Sequence, residues 1–123
     1  MTAIIVRMET FRAGRQLAQR ASDLNSIGRR LEASREAQGL RLTDLADQSG
    51  VAKNTLSNWE AGTKRPSLDQ VALVLPILRV TLDWVYFGDD GALDWQVREA
   101  IVNQLAQMPE PPPRSPLRKL SGD

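Results

Sequence analysis

Residues 42–59 read LTDLADQSGVAKNTLSNW, and the order of apolar, small and glycine residues in that stretch decides the fold. Leu42, Leu45 and Ala46 fall on one helical face, and Ala46 is small where a second helix has to cross close by. Gly50 stands where the chain leaves this helix, and glycine tolerates the left-handed backbone of such a turn without strain. Val51 and Leu56 resume the apolar pattern, and Trp59 follows Leu56 by three residues, so a second helix also buries one face. Its other face is polar and carries Lys53, Asn54, Ser57 and Asn58. Two short helices about a glycine turn, the second with a free polar face, make the geometry that presents a helix to a DNA major groove.

Working outward, the pattern predicts five helices for the central domain. The first covers about residues 27–38, with Ser26 as N-cap, Ile27 and Leu31 on one face and Gly39 as its stop. The two motif helices follow. A fourth starts after Pro66 with Ser67 as N-cap and turns Leu68, Val71, Val74 or Leu75, and Leu78 to the core. Pro76 inside it removes the bond to the Ala72 carbonyl and is expected to kink or split the helix. A fifth covers residues 82–87, capped by Thr81 and ended by Gly88. No segment alternates with period two, so the expected class is all-α.

Composition narrows the function. The 123 residues include no cysteine and no histidine, which excludes disulfides, thiolate or imidazole metal sites and any histidine-based triad or general base. No nucleophile and base pair and no phosphate-cradling glycine loop stand out, so the reading is that of a non-enzyme without cofactor or metal. No apolar run approaches the roughly 20 residues of a membrane span, and no secretory apolar region opens the chain, so a cytoplasmic location is expected. Charge is a weak guide, because residues 27–90 hold eight Lys or Arg against nine acids. It is unevenly placed, however: Lys53, Lys64 and Arg65 surround the second motif helix, and such a local patch can serve where bulk charge does not.

Six fragments in order extend the motif into a family likeness. Arg35 with Gly39 and Leu40, Leu45 with Ala46, Gly50 with Val51, Leu56 with Trp59 and Glu60, AGTKRPSL at 61–68 and VTLDWVYFGD at 80–89 together resemble the lambda-repressor and Cro-like helix-turn-helix regulators, also known as the xenobiotic-response-element class. The resemblance implies a five-helix DNA-binding domain at residues 26–90, double-stranded DNA as ligand and a repressor working as a homodimer on a palindromic operator. It places Ala52, Lys53, Asn54, Ser57 and Asn58 at base edges. Lys53 would donate to guanine, Asn54 or Asn58 would pair with adenine, and Ala52 would pack on a thymine methyl. Thr63, Lys64 and Arg65 would grip phosphate, with Arg41, Thr43 and Thr55 as further backbone contacts. Arg35 and Glu60 match an ion pair between the first and third helices of relatives. Trp59 and Trp84, by contrast, stand at core spacing and read as packing residues.

Two further departures limit the likeness. Relatives often open the second helix with Ser or Thr followed by Gln, whereas Arg41 and Leu42 stand here, so one phosphate partner is missing unless Arg41 or Thr43 replaces it. The Ser or Thr usual before the recognition helix is Ala52, which removes a side-chain cap worth about 1 kcal/mol.

The flanks read differently. Residues 1–25 carry four arginines against two acids and include a possible short helix at 12–21; they are either a plain leader, with Met8 as an alternative start, or a basic arm that touches DNA backbone or minor groove. In residues 91–108, Leu93, Val97, Ile101 and Leu105 form an apolar stripe on a helix of about 94–107, which docks on its own domain or pairs with a second subunit. Residues 109–123 hold five prolines in their first eight positions and read as an extended, disordered tail. A rival reading is an antitoxin-like module whose C-terminal helix or tail holds a partner protein while the domain regulates its own operon.

Overall fold

Asp23, rather than Ser26, opens the first helix, and the reason is electrostatic. In the computed structural model, which describes residues 22–109, helix α1 spans Leu24–Ala37, and the Asp23 carboxylate accepts from the Ser26 N–H at 2.7 Å. An ionised acceptor facing the positive end of the helix outcompetes a neutral hydroxyl three residues on. The helix stops in a Schellman turn. Gly39 adopts φ 71°, its N–H donates to the Glu36 carbonyl at 2.9 Å, and the Leu40 N–H reaches the Arg35 carbonyl at 3.2 Å.

Five more helices follow: α2 Leu42–Ser49, α3 Lys53–Glu60, α4 Leu68–Leu78, α5 Leu82–Phe87 and α6 Trp95–Gln107. No strand occurs among the described residues. Gly50 takes φ 78° between α2 and α3, and Thr81 and Gly88 bound α5 at the expected positions. Ser67 caps α4 through the Gln70 N–H. Pro76 does not split α4, which runs unbroken through it and ends at Leu78, with Arg79 in the left-handed region at φ 60°. The proline sits in the last turn, so the helix gives up little beyond it.

Helix α1 is the axis of the molecule and packs against α3, α5 and α6, while α2 packs against α3 and α4. Between them lies one core containing Ile27, Leu31, Leu45, Leu56, Val71, Val74, Leu78 and Val85, each almost wholly buried. Burial of each such aliphatic side chain contributes about 1.5–3 kcal/mol relative to exposure. Leu68 departs from expectation: it is 63% exposed. As the first residue of α4 its side chain leans toward the N-terminus and past the helix end, away from the packed face.

The apolar stripe of α6 docks on its own domain. Val97 and Ile101 join the core, with Leu93 and Leu105 packed at its edge. Arg29 on α1 donates to the Leu105 carbonyl at 3.2 Å, which also accepts from the Met108 N–H, and to the Pro109 carbonyl, so it grips the end of α6. Arg30 does the same for α5, donating to Val85 and Tyr86 carbonyls at 2.9 and 3.1 Å. The Tyr86 hydroxyl in turn donates to the Pro66 carbonyl, tying α5 to the loop before α4. One polar chain crosses the interior: Trp84 Nε1 donates to Ser34 Oγ at 3.0 Å, and that hydroxyl donates to the Arg30 carbonyl at 2.7 Å. Both Trp59 and Trp84 are buried, as core spacing predicts. The possible helix at 12–21 and all of the proline-rich tail beyond Pro109 lie outside the described residues.

Candidate nucleic-acid interface

Helix α3 is held by its apolar side and leaves the other side open. Leu56 and Trp59 are buried, Val51 is pinned in the core just before the helix, and Lys53, Asn54 and Ser57 are exposed. The Val51 N–H finds its acceptor in Ser49 Oγ at 3.1 Å. Ala52 has the extended backbone of an N-cap, φ −61° and ψ 141°, but offers no side-chain acceptor. The N–H groups of the first turn of α3 are therefore left to water or to a ligand.

Asn58 and Thr55 are only half-exposed. The Asn58 carbonyl accepts from the backbone N–H of Thr63 at 3.0 Å, and the Thr63 hydroxyl lies 3.1 Å from that carbonyl and 3.3 Å from Asn58 Oδ1. Asn58 thus braces the loop that carries Thr63, Lys64 and Arg65, all exposed, against the end of α3. Arg65 also donates to the Ser22 carbonyl at 2.8 Å. Gly62, at φ 75°, lies against Asn25, so the start of α1 abuts the same loop.

At the head of α2, Arg41 is exposed but engaged. Its Nε and a terminal nitrogen lie 3.2 Å from the two Asp44 carboxylate oxygens, and its backbone N–H donates to Asp44 Oδ2 at 2.9 Å. These bonds hold the Asp44 carboxyl below its usual range, the Arg41 side chain being the largest cause. Thr43 is exposed beside them.

Behind the polar face, Arg35 and Glu60 join α1 to α3. Arg35 Nε and a terminal nitrogen donate to the two Glu60 oxygens at 2.8 and 3.0 Å, and the remaining terminal nitrogen donates to the Leu40 carbonyl at 2.7 Å. The bond to Glu60 pushes the guanidinium above its ordinary value against the opposing effect of burial. A cleft between α1 and the end of α6 is lined by Arg29, Glu32, Glu36 and Glu60. There burial first, then the neighbouring Glu60 and Glu36 charges, raises the Glu32 carboxyl. A carboxylate with a raised folded-state pKa adds stability at low pH, and that addition is lost as pH rises through the raised value. Glu32→Gln should therefore raise the thermal midpoint at neutral pH, with the gain shrinking to nothing below the ordinary carboxylate range; an equal gain at both extremes would show that charge is not the cause.

Among the described residues no group of three carboxylates is placed to hold a metal, and no helix is long and apolar enough to cross a membrane. The residues that sequence reasoning missed act at long range. Gly28, Arg29, Arg30 and Ser34 all lie on α1, and of these only a glycine inside a helix is a visible signal.

Residues 31–85, from within α1 to within α5, match the family model described as helix-turn-helix. Within that stretch α2, the turn at Gly50 and α3 are similar to that family's motif. The chain is 32% identical over 56 residues to the HTH-type transcriptional regulator YobD of Bacillus subtilis, covering 46% of this chain and 50% of that protein. Over 80 residues the chain is 33% identical to the HTH-type transcriptional regulator Rv0474 of Mycobacterium tuberculosis, covering 62% of this chain and 56% of the relative. The chain thus spans about half the length of these curated relatives. No solved structure gives a significant match to it.

Proposed function

We propose that the protein is a sequence-specific DNA-binding transcriptional regulator that represses from a palindromic operator as a dimer. The observation that carries this reading is α3 itself, anchored through Leu56 and Trp59 while Lys53, Asn54 and Ser57 are exposed at its leading end. Lys53 is a donor for guanine O6 and N7, Asn54 is the bidentate partner for adenine, and Ala52 is small enough to meet a thymine methyl. Asn58 serves less as a reader than as the brace of the loop behind it, from which Lys64 and Arg65 reach phosphate. Arg41 and Thr43 at the head of α2, with Thr55, are the further backbone contacts.

One domain makes few contacts, which is why two are expected on one site. If each subunit neutralises three or four phosphates, the dimer gives a log–log salt slope of about −5 to −7. Selection of bound sequences from random DNA by the full chain should recover a symmetric motif. The same selection with Lys53 and Asn54 both changed to alanine should lose or alter it. An unchanged motif, or none from the wild type, defeats the reading. Changing Lys64 and Arg65 to alanine should instead weaken all sequences about equally and flatten the salt slope by roughly one unit for each cation removed from the phosphates.

A second reading draws on the outer face of α6, where Trp95 is 66% and Val102 54% exposed. A protein partner seated there would make the chain an antitoxin-like module that also regulates its operon. Sedimentation of the purified chain discriminates between the two: a dimer dissociated by Trp95→Ala assigns that face to a second copy instead.

A further inference from the structure

We infer that Asp44 competes with backbone phosphate for the Arg41 guanidinium and so holds back the DNA contact at the head of α2. This rests on the DNA-binding reading above and on the place of Arg41 among its backbone contacts, and three observations carry it. The pairing is direct: Arg41 Nε and a terminal nitrogen lie 3.2 Å from the two Asp44 oxygens, so the side-on edge of the guanidinium is already filled. It also stands at the surface. The two side chains are 81% and 31% exposed, and a phosphate arriving at the head of α2 meets the arginine and its acid together. Finally, the other cations assigned to the interface are free of acids among the described residues: Lys53 and Lys64 form no ion pair, and Arg65 donates to a carbonyl, that of Ser22. Of the four, Arg41 alone is neutralised.

An exposed pair of this kind is held weakly, because both ions keep much of their water and salt screens them. Phosphate can therefore take the arginine, but the carboxylate stays in place, since Asp44 Oδ2 also accepts from the Arg41 backbone N–H at 2.9 Å. A phosphate drawn to Arg41 thus comes up beside a fixed negative charge. The head of α2 brings one cation and one anion to the DNA, and little net counterion release follows. Phosphate attraction is the part of binding that all sequences share, so this acid trims sequence-independent affinity and leaves the base-edge contacts of α3 a larger share of the total.

The test uses the full chain and two duplexes, the one recovered by selection and one of random sequence, with binding followed by fluorescence anisotropy from low to moderate salt. Asp44→Gln and Asp44→Glu are compared, because either side chain can close a capping box at this position and the two differ in charge. Their thermal midpoints should lie close together. Asp44→Gln should bind both duplexes roughly fivefold or more tighter than Asp44→Glu, with a log–log slope more negative by about 0.9 for each subunit bound. Asp44→Asn, which keeps the native side-chain length, should show the same gain over the wild type. With Arg41 changed to alanine the gain should shrink to a minor part, since no guanidinium is left to release. Equal slopes for the Gln and Glu variants overturn the inference and leave Asp44 a cap alone. A gain that persists in full without Arg41 overturns it in favour of general repulsion between Asp44 and DNA, and a gain confined to the selected duplex overturns it in favour of a base contact. If the wild type binds neither duplex, the DNA-binding reading falls and this inference with it.

Discussion

Gly28→Ala should destabilise the fold by about 2 kcal/mol or more, although alanine is the better helix former by about 1 kcal/mol. Gly28 lies where α1 crosses α3, and a β-carbon there would stand 2.5 Å from the Trp59 carbonyl oxygen and 2.6 Å from that of Glu60. Both are backbone atoms, so no side-chain rotation relieves the overlap; the helices must move apart and loosen Ile27, Leu31 and Trp59 together. Urea unfolding followed by tryptophan fluorescence measures the change. A variant as stable as the wild type would mean that α1 slides on α3 at little cost.

Breaking the Arg35–Glu60 pair should cost about 3–4 kcal/mol when either partner is truncated. Both side chains are only 11% exposed, so the one left behind remains charged in a poorly solvated place. Arg35→Ala should be the worse of the two, because Arg35 also donates to the Leu40 carbonyl at 2.7 Å and so holds the α1–α2 turn. Replacing both by apolar residues of similar volume should recover much of the stability, since the penalty comes from the orphaned charge rather than from the missing attraction. Midpoints of chemical unfolding for the two single variants and the double variant test this. Additive single effects would show that the side chains are not coupled.

Both changes act on the seam that holds α3, yet only one of them is foreseeable from the sequence. Arg35 and Glu60 stand at positions that the family likeness marks. The clash at Gly28 depends on how closely two helices cross, which no local pattern encodes. Periodicity and the glycine at position 50 are enough for α2, the turn and α3, because each is decided within a few residues. The caps of α5 are equally local. By contrast, the Trp84–Ser34 bond and the grip of Arg29 and Arg30 on helix ends join residues tens of positions apart. In the candidate interface the exposed positions of α3 are legible from spacing alone. The engagement of Asn58 with Thr63 is not, since it depends on how the following loop returns. The start of α1 differs from expectation for a simpler reason: two acceptors stand three residues apart, and burial of Ile27 is compatible with either.

The docking of α6 carries a consequence for how the protein opens. Ile101 shares one core with Ile27, and Arg29 clasps the end of α6, yet α6 lies beyond the stretch of 31–85 that matches the helix-turn-helix family. The helix therefore cannot peel away without uncovering α1. In native-state hydrogen exchange, amides around Ile101 should open together with those of α1, whereas the first turn after Asp94, which has no side-chain cap, should fray independently. The cooperative unit of this protein is longer than the unit that its family likeness marks out.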